Sequence, residues 1–295
     1  MSAAHGEPPR RLSHPRCALG ESPRWAHGRW WWVDAARGIV WSADSDFGDL
    51  RREVDAGPRT SLVHPATRGR LVVARGADLL VLDPVDGTLR AWARIPLEPG
   101  WLLNDGTADD AGALWIGSVH PGRVPGSGLL HRVGRRGDVT TFRSGSALSN
   151  GMTWVDSAHL VLADSIARTL TEYRVGVRDG VQIAHAWELP PQPGTALPDG
   201  LCRDVEGGLW VALYGSGTVA RFVGGRQVDV VTVPTPQVTS AALGGPDGRD
   251  LLITTAQEGM DRDARASDRE AGAVFAARAT VSAVPVPAAA PLDPA

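Results

Sequence analysis

Short apolar runs alternate with polar turns along almost the whole chain. The runs are about four to six residues long and rich in Val, Leu and Trp, and turn signals built on Gly, Pro, Asn and Asp separate them. Runs of this length and composition are typical of buried strands, and no stretch of ten or more residues shows convincing helical periodicity. The pattern therefore predicts an all-β protein with many short strands.

A spacing of eleven residues recurs between a polar residue in a turn and the middle of an apolar strand. Four of the polar residues, which we call the polar tips, carry a side-chain oxygen that could bind a metal. Each tip and the strand residue eleven positions later form one of these pairs: Glu21 and Trp32, Asn104 and Trp115, Asn150 and Val161, and Asp199 and Trp210. Ser61 with Val72 and Ser240 with Leu251 keep the spacing without an acid or amide. The spacing indicates six equivalent units.

A repeat of about 40 to 50 residues with four strands in each unit is typical of a β-propeller blade. We therefore predict a six-bladed β-propeller in which strands from the two chain ends pair within one blade, and the sequence does not indicate which blade. Because the first strand of each blade lines the central channel, the polar tips should converge at one end of it. The residues eleven positions later should lie in the blade cores.

The two ends of the chain differ in composition from the middle. Residues 1–12 and the Pro/Ala-rich residues 285–295 are expected to be flexible tails, which leaves a single propeller domain over 13–284. Residues 261–270 are rich in Asp and Arg and are expected to form a charged loop between strands of the last blade.

The charge and the cysteine content exclude some functions. The formal net charge is −3 with acidic and basic residues interspersed, which argues against nucleic-acid binding. No run of about 18 apolar residues and no secretory signal is present, so we expect no membrane span and a cytoplasmic location. Cys17 and Cys202 are expected to be free thiols. A monomer or weak homodimer that acts on a small molecule fits these features.

The four polar tips could together hold a metal ion. Glu21, Asn104, Asn150 and Asp199 offer carboxylate and amide oxygens, which suit Ca²⁺ best, with Mg²⁺ or Mn²⁺ as alternatives. Zn²⁺ is less expected on ligand softness. Asn-Gly or Asp-Gly alone indicates an ordinary turn, but four such residues in equivalent register favour one divalent-metal site.

The segments around the tips resemble the SMP-30/gluconolactonase/regucalcin-like family. They are residues 20–25 (Gly-Glu-Ser-Pro-Arg-Trp), 103–106 (Leu-Asn-Asp-Gly), 149–154 (Ser-Asn-Gly-Met-Thr-Trp) and 198–204 (Pro-Asp-Gly-Leu-Cys-Arg-Asp), and the resemblance extends over about 17–277. It implies a six-bladed propeller with one divalent metal at the channel mouth and hydrolysis of sugar lactones. By the same resemblance Glu21, Asn150 and Asp199 are metal ligands, Asp199 also moves a proton, and Asn104 orients the substrate.

Two positions depart from the family pattern. Sugar lactonases of this family typically carry an arginine where this chain has Leu102, and a substrate-binding glutamate falls at Pro121. The expected substrate-binding rim is therefore Trp101, Leu102, Leu103 and His120, beside Asn104. Sugar hydroxyls need hydrogen-bond partners, so this rim indicates a less polar substrate or a different reaction.

The role of three further residues is left open by the sequence. His120 is either an acid or base near the metal or a loop histidine without a role. Tyr214 and Gln257 follow strands of the fifth and sixth units and could face the channel.

Three functions remain open from the sequence. The first is metal-dependent hydrolysis of a lactone or related cyclic ester. The second is an isomerisation, cyclisation or elimination at a carbonyl held by the same metal. The third is a non-catalytic propeller that binds calcium or a protein, since a fold does not fix a function.

Overall fold

Six four-stranded antiparallel sheets make up the part of the chain that the structure describes, residues 7–12, 16–176, 180–190 and 194–292 of a computed structural model. In chain order the strands are β1 Arg10–Arg11; β2 Gly20–Ala26, β3 Arg29–Asp34, β4 Ile39–Ala43, β5 Arg51–Asp55; β6 Thr60–Pro65, β7 Leu71–Arg75, β8 Asp78–Asp83, β9 Thr88–Arg94; β10 Leu102–Ala108, β11 Leu114–Val119, β12 Leu129–Val133, β13 Val139–Arg143; β14 Ser149–Trp154, β15 His159–Asp164, β16 Thr169–Gly176, β17 Gly180–Glu188; β18 Leu197–Arg203, β19 Leu209–Tyr214, β20 Thr218–Val223, β21 Arg226–Thr232; and β22 Val238–Gly244, β23 Asp250–Thr255, β24 Phe275–Arg278.

The first strands of the blades form a closed ring. Strands β2, β6, β10, β14, β18 and β22 each contact the equivalent strand of the two neighbouring blades. The predicted six-bladed β-propeller is therefore confirmed, and these six strands line its channel.

The residues eleven positions after the tips lie in the blade cores. Trp32, Val161 and Leu251 are fully buried, and Trp115 and Trp210 are within 2% of full burial. The indole nitrogen of Trp210 donates to Asp204 Oδ2 at 2.9 Å, and Trp115 makes the same bond to Asp109. These tryptophans therefore pack the blades, as the spacing predicts.

The last blade is closed by strands from both ends of the chain. Strand β1 pairs with β24, with Arg10 opposite Ala276 and Arg11 opposite Phe275. Leu12, which follows β1, is 2% exposed and belongs to the core. The prediction of a flexible tail is therefore wrong for residues 10–12, because their backbone completes a sheet; residues 1–6 lie outside the described residues.

The C-terminal segment also packs against the propeller. The backbone nitrogen of Ala289, whose side chain is fully buried, donates to Pro65 O, and that of Ala290 donates to Gly112 O. Small side chains permit this approach, since a Cβ on Gly112 would lie 2.6 Å from the Ala290 Cβ. The prediction of a tail is wrong for residues 285–292, and residues 293–295 lie outside the described part.

A short helix interrupts the charged segment of the last blade. This segment connects β23 to β24 as predicted, but it contains α1, Arg262–Ser267, whose first turn is capped by Asp261. Six residues with no buried side chain give no hydrophobic period, so the pattern could not predict this helix. Within the described residues, no helix is long and apolar enough to cross a membrane.

Candidate metal centre

The polar tips lie where the pairing of each innermost strand is irregular. The register between the first two strands shifts after Glu21 in blade one, after Leu103 in blade three, after Ser149 in blade four and after Pro198 in blade five. A bulge at the start of a strand re-aims the side chains next to it. A similar register shift therefore places each of the four tips at one end of the channel.

The glycine after a tip is required by close packing rather than by a turn. A Cβ on Gly151 would lie 2.3 Å from the backbone nitrogen of Leu201, and one on Gly200 would lie 1.9 Å from Ser240 Oγ. Both glycines face the innermost strand of the next blade. The Asn-Gly and Asp-Gly pairs therefore bring neighbouring tips together, which an ordinary turn would not do.

Two buried aspartates fix the backbone that leads into the tips. Asp34, at the end of β3, accepts hydrogen bonds from the backbone nitrogens of Ala18 and Leu19, just before Glu21. Asp164, at the end of β15, accepts equivalent bonds from Ala147 and Leu148, just before Asn150. Neither aspartate was predicted to have a role, although their equivalent positions in two blades are a signal that could have identified them.

The two amide tips are oriented by their own hydrogen bonds. Asn150 Nδ2 donates to Ser165 Oγ at 3.1 Å, and Ser165 Oγ donates to Pro198 O at 2.7 Å. Asn104 Nδ2 donates to Ser149 O at 2.8 Å and to Asn150 Oδ1 at 3.2 Å. Both amide nitrogens donate to the protein, and Asn150 Oδ1 accepts one of these bonds, which leaves its second lone pair to face a ligand.

The two acidic tips repel one another in a buried place. Burial, followed by the charges of Asp199 and Asp105, raises the pKa of Glu21 well above its ordinary value. Burial, followed by the charges of Asp105 and Glu258, likewise raises the pKa of Asp199. Asp199 is 7% exposed, and its Oδ1 has no hydrogen-bond partner among the described residues. A buried oxygen without a donor beside a second carboxylate suits a divalent cation.

The donor set is made of acids and amides together. Among the described residues, no group of three or more His, Cys, Asp and Glu side chains is placed to hold a metal. Glu21 and Asp199 supply two carboxylates, and Asn150, which is 8% exposed, makes a side-chain hydrogen bond to Asp199. The predicted ligands Glu21, Asn150 and Asp199 are thus placed where three oxygen donors could bind one hard cation.

A buried ion pair forms the channel floor beneath the tips. Arg24 Nη2 lies 3.0 Å from Asp105 Oδ1 and also donates to Gly106 O. The side chains of Arg24 and Asp105 are only 6% and 9% exposed. This pair was not predicted, since its members are 81 residues apart and become neighbours only through the ring of blades.

His64 lies next to this floor in a neutral form. Its Nδ1 donates to Pro65 O at 2.9 Å, and its Nε2 accepts from the Ala108 nitrogen at 3.2 Å. Burial, followed by the charge of Arg24, lowers the pKa of His64 to about 3. Its role is therefore structural.

The predicted rim residues lie together on blade three. The rings of Trp101 and His120 meet edge to face with centroids 5.2 Å apart, and Leu102 pairs with Val119 at the end of β11. Leu102 is 38% exposed, whereas Leu103 is buried and cannot line the mouth. His120 Nδ1 accepts from the Gly122 nitrogen at 2.9 Å, so one ring nitrogen is engaged in its own loop.

Tyr214 and Glu258 also belong to the mouth, whereas Gln257 does not. Burial, followed by the charges of Glu258, Asp199 and Glu21, raises the pKa of Tyr214 to about 12. Glu258 was not among the predicted site residues, although its charge acts on both acidic tips. Gln257 is 6% exposed, and its Nε2 donates to Ala271 O, which gives it a structural role.

Both cysteines are free, as expected. Burial, followed by the charge of Asp34, raises the pKa of Cys17 above its ordinary value. Burial raises the pKa of Cys202 to about 12. Neither thiol is therefore a nucleophile at neutral pH.

A cavity of about 200 Å³ lies away from the tips. Its lining includes the later residues of innermost strands, such as Met152 and Arg203, and the C-terminal residues Val284 to Pro287. None of the four tips lines it, so this cavity belongs to the opposite end of the channel.

Fold and site together define a β-propeller protein with an oxygen-rich pocket at one end of its channel. The family model described as SMP-30/Gluconolactonase/LRE-like region matches residues 19–257. The chain therefore belongs to the SMP-30/gluconolactonase/LRE-like family, which confirms the resemblance seen in the sequence.

Known relatives cover nearly all of the chain. A pentonolactonase from Haloferax volcanii is 33% identical over 274 residues, which is 89% of this chain and 90% of the relative. Regucalcin from Danio rerio is 29% identical over 267 residues, 87% of this chain and 89% of the relative. The crystal structure of a regucalcin from Agrobacterium tumefaciens, described as a calcium-binding protein, aligns with a TM-score of 0.84 at 26% identity and covers 95% of this chain and 97% of that one.

Proposed function

We propose that this chain is a divalent-metal-dependent hydrolase of a lactone or related cyclic ester that is less polar than a typical sugar lactone. The observation that carries the proposal is the meeting of Glu21, Asn150 and Asp199 at one channel end, with two carboxylates that repel each other and an Asp199 oxygen without a donor. The similarity to a pentonolactonase supports the reaction type.

Glu21, Asn150 and Asp199 are the residues that would hold the cation. Ca²⁺ is the ion we expect first, with Mg²⁺, Mn²⁺ and Zn²⁺ as alternatives, because the donors are carboxylate and amide oxygens. When bound, such an ion supplies Lewis acidity, which draws electron density from a carbonyl oxygen. The two carboxylates also lose their mutual repulsion, which ties ion binding to the stability of the fold.

Asp199 is the residue to which we assign proton transfer. One of its carboxylate oxygens accepts a proton from the water whose oxygen forms a bond to the lactone carbonyl carbon. As the ring C–O bond breaks, the same carboxylate gives the proton to the leaving alkoxide, and the product is a hydroxy acid. Burial, followed by the charges of Asp105 and Glu258, raises the pKa of Asp199 above its ordinary value, which makes its carboxylate a stronger base.

Asn104 is assigned to substrate orientation. Its Nδ2 is held by Ser149 O and Asn150 Oδ1, so the amide plane is fixed before any substrate arrives. Fixed polar groups that need no rearrangement are effective in positioning a reacting ester.

The apolar rim is the basis for the proposed substrate polarity. Leu102 is 38% exposed at the mouth, and Trp101 and His120 lie beside it. A polyhydroxylated ring bound there would lose hydrogen bonds to water without replacing them, at a cost of about 1–3 kcal/mol for each unpaired group. Alkyl-substituted γ- and δ-lactones avoid this cost.

The test is hydrolysis of a lactone panel by metal-stripped protein. The panel extends from aldonolactones to alkyl γ- and δ-lactones, with Ca²⁺, Mn²⁺, Mg²⁺ or Zn²⁺ added back. Turnover restored by metal, with a higher kcat/KM for the alkyl lactones, is the expected result. Clear metal binding without turnover of any lactone would contradict hydrolysis and favour another reaction at a carbonyl.

A further inference from the structure

The chain contains two tyrosines, and they differ in their surroundings. Tyr173 is 3% exposed, and its hydroxyl donates to Ser144 O at 2.7 Å inside blade four. Tyr214 is partly exposed, and its hydroxyl has no hydrogen-bond partner among the described residues. Tyr173 therefore has a structural bond, whereas the Tyr214 hydroxyl is available.

Tyr214 is placed at the mouth by the pairing of blade five. It is the last residue of β19 and pairs with Leu197, two residues before Asp199. Burial, followed by the charges of Glu258, Asp199 and Glu21, raises the pKa of its phenol to about 12, and an ordinary phenol is already protonated at neutral pH. The phenol therefore offers a hydrogen-bond donor close to the acidic tips.

The donors at the tip positions themselves are already engaged or enclosed. Beyond the tips, His120 on blade three has a second ring nitrogen, and the charge of Arg123 acts on the Tyr214 phenol. The amide nitrogens of Asn104 and Asn150 donate to the protein. The hydroxyl oxygens of Ser61 and Ser240, which occupy the tip positions of blades two and six, are buried too completely to touch a ligand. Carboxylates and amide oxygens can only accept hydrogen bonds, so an oxygen atom of a substrate needs a donor from another residue.

We propose that the Tyr214 hydroxyl is a specificity-determining donor, which binds an oxygen substituent of the lactone from the blade-five side of the mouth. The apolar rim of Trp101 and Leu102 contacts the substrate from blade three. The substrate class is therefore an amphipathic lactone, with an apolar part and at least one hydroxyl or similar oxygen beyond the ester. This inference rests on the proposed lactone hydrolysis and names the substrate more closely.

The experiment compares Tyr214→Phe with Tyr173→Phe in the Ca²⁺-loaded protein. Two lactams serve as non-hydrolysable probes, in which a ring nitrogen stands in for the ring oxygen: gluconolactam carries hydroxyls, and δ-valerolactam carries none. Calorimetry gives their dissociation constants, and Ca²⁺ titrations show whether the metal site is intact. The same variants are assayed for kcat and KM with hydroxylated and plain δ-lactones.

Tyr214→Phe should weaken gluconolactam binding about threefold to tenfold and raise KM for hydroxylated lactones by a similar factor, which is the range for one hydrogen bond. It should leave δ-valerolactam binding, Ca²⁺ affinity and melting temperature unchanged. Tyr173→Phe should lower the melting temperature without changing the ratio of the two lactam affinities.

Equal effects of Tyr214→Phe on both lactams, or no effect on either, would overturn the role of Tyr214 alone. If the wild-type protein hydrolyses no lactone and binds neither lactam, the proposed function itself is wrong, and this inference is wrong with it. The two failures are therefore distinguishable.

Discussion

Acid should destabilise this protein through a buried histidine that lies beneath the candidate site. His64 is fully buried, and burial and the charge of Arg24 lower its pKa from 6.5 to about 3. The unfolded chain binds a proton at this histidine below pH 6.5, whereas the folded chain does not until about pH 3. Stability from neutral His64 is therefore present above pH 6.5 and lost as the pH falls toward 3.

The size of the effect follows from the difference in pKa. A pKa unit corresponds to about 1.4 kcal/mol, so the full shift of His64 corresponds to about 5 kcal/mol. Between pH 7 and pH 5 the contribution of His64 to the free energy of unfolding should fall by about 2 kcal/mol. His131, whose pKa burial lowers to about 4, adds a separate loss in the same direction.

The assay is urea unfolding at pH 7, 6 and 5 in the presence of a chelator. The glutamine in His64→Gln cannot titrate. The free energy of unfolding of the wild type minus that of the variant should therefore fall by about 2 kcal/mol from pH 7 to pH 5. Any pH-independent cost of the substitution does not affect this change. Titration of the acidic tips affects both proteins equally, so it does not change the difference between their free energies of unfolding. His159→Gln, at a partly exposed histidine beside Asp156, is the matched control. Parallel pH profiles for the wild type and His64→Gln would refute the reasoning.

Three further predictions concern the metal centre and its rim. Asp199→Asn should raise the melting temperature of the metal-free protein, because it removes a buried charge that repels Glu21, and it should abolish the gain on adding Ca²⁺; calorimetric scans with and without Ca²⁺ check this, and a retained gain would contradict it. Arg24→Met should cost about 3–5 kcal/mol in urea unfolding, because it leaves Asp105 buried without its partner, and a cost below about 1 kcal/mol would show that the pair is dispensable. Leu102→Arg should raise kcat/KM for aldonolactones relative to alkyl lactones, since it places a hydrogen-bond donor at the exposed rim; an unchanged ratio would mean that the rim does not select the substrate.

The blade architecture was predictable because its signal repeats. A polar tip and a core residue such as Trp32 or Val161 recur at a fixed spacing, and both core residues are fully buried. Each repeat adds evidence for the others, so six weak patterns become a strong one. The packed C-terminal segment has no such support, since Ala289 is one small residue whose burial depends on the shape of a distant blade end.

The candidate site was predictable only in part for a related reason. The tips share a position in the repeat, so the sequence indicates that they meet. Tyr214, Arg24 and Asp105 do not occupy a common position in the repeat. The place of Tyr214 is set by the register of its strand, and Arg24 meets Asp105 through contacts around the ring. The contact between Arg24 and Asp105 joins residues from different blades, so sequence spacing carries no information on it.

All six blades share the same kind of irregular strand pairing, but the side chains at their tip positions differ in chemistry. Innermost-strand pairing is irregular in every blade, including blades two and six, where Ser61 and Ser240 occupy the tip positions. Their hydroxyl oxygens are buried without partners among the described residues, so these two tip positions add no ligand to the mouth. At the tip positions, acids and amides are thus confined to blades one, three, four and five. The repeat determines where the tip side chains converge. Because only four of the six tip positions carry an acid or amide, the result is one off-centre candidate metal site and not a symmetric ring of six ligands.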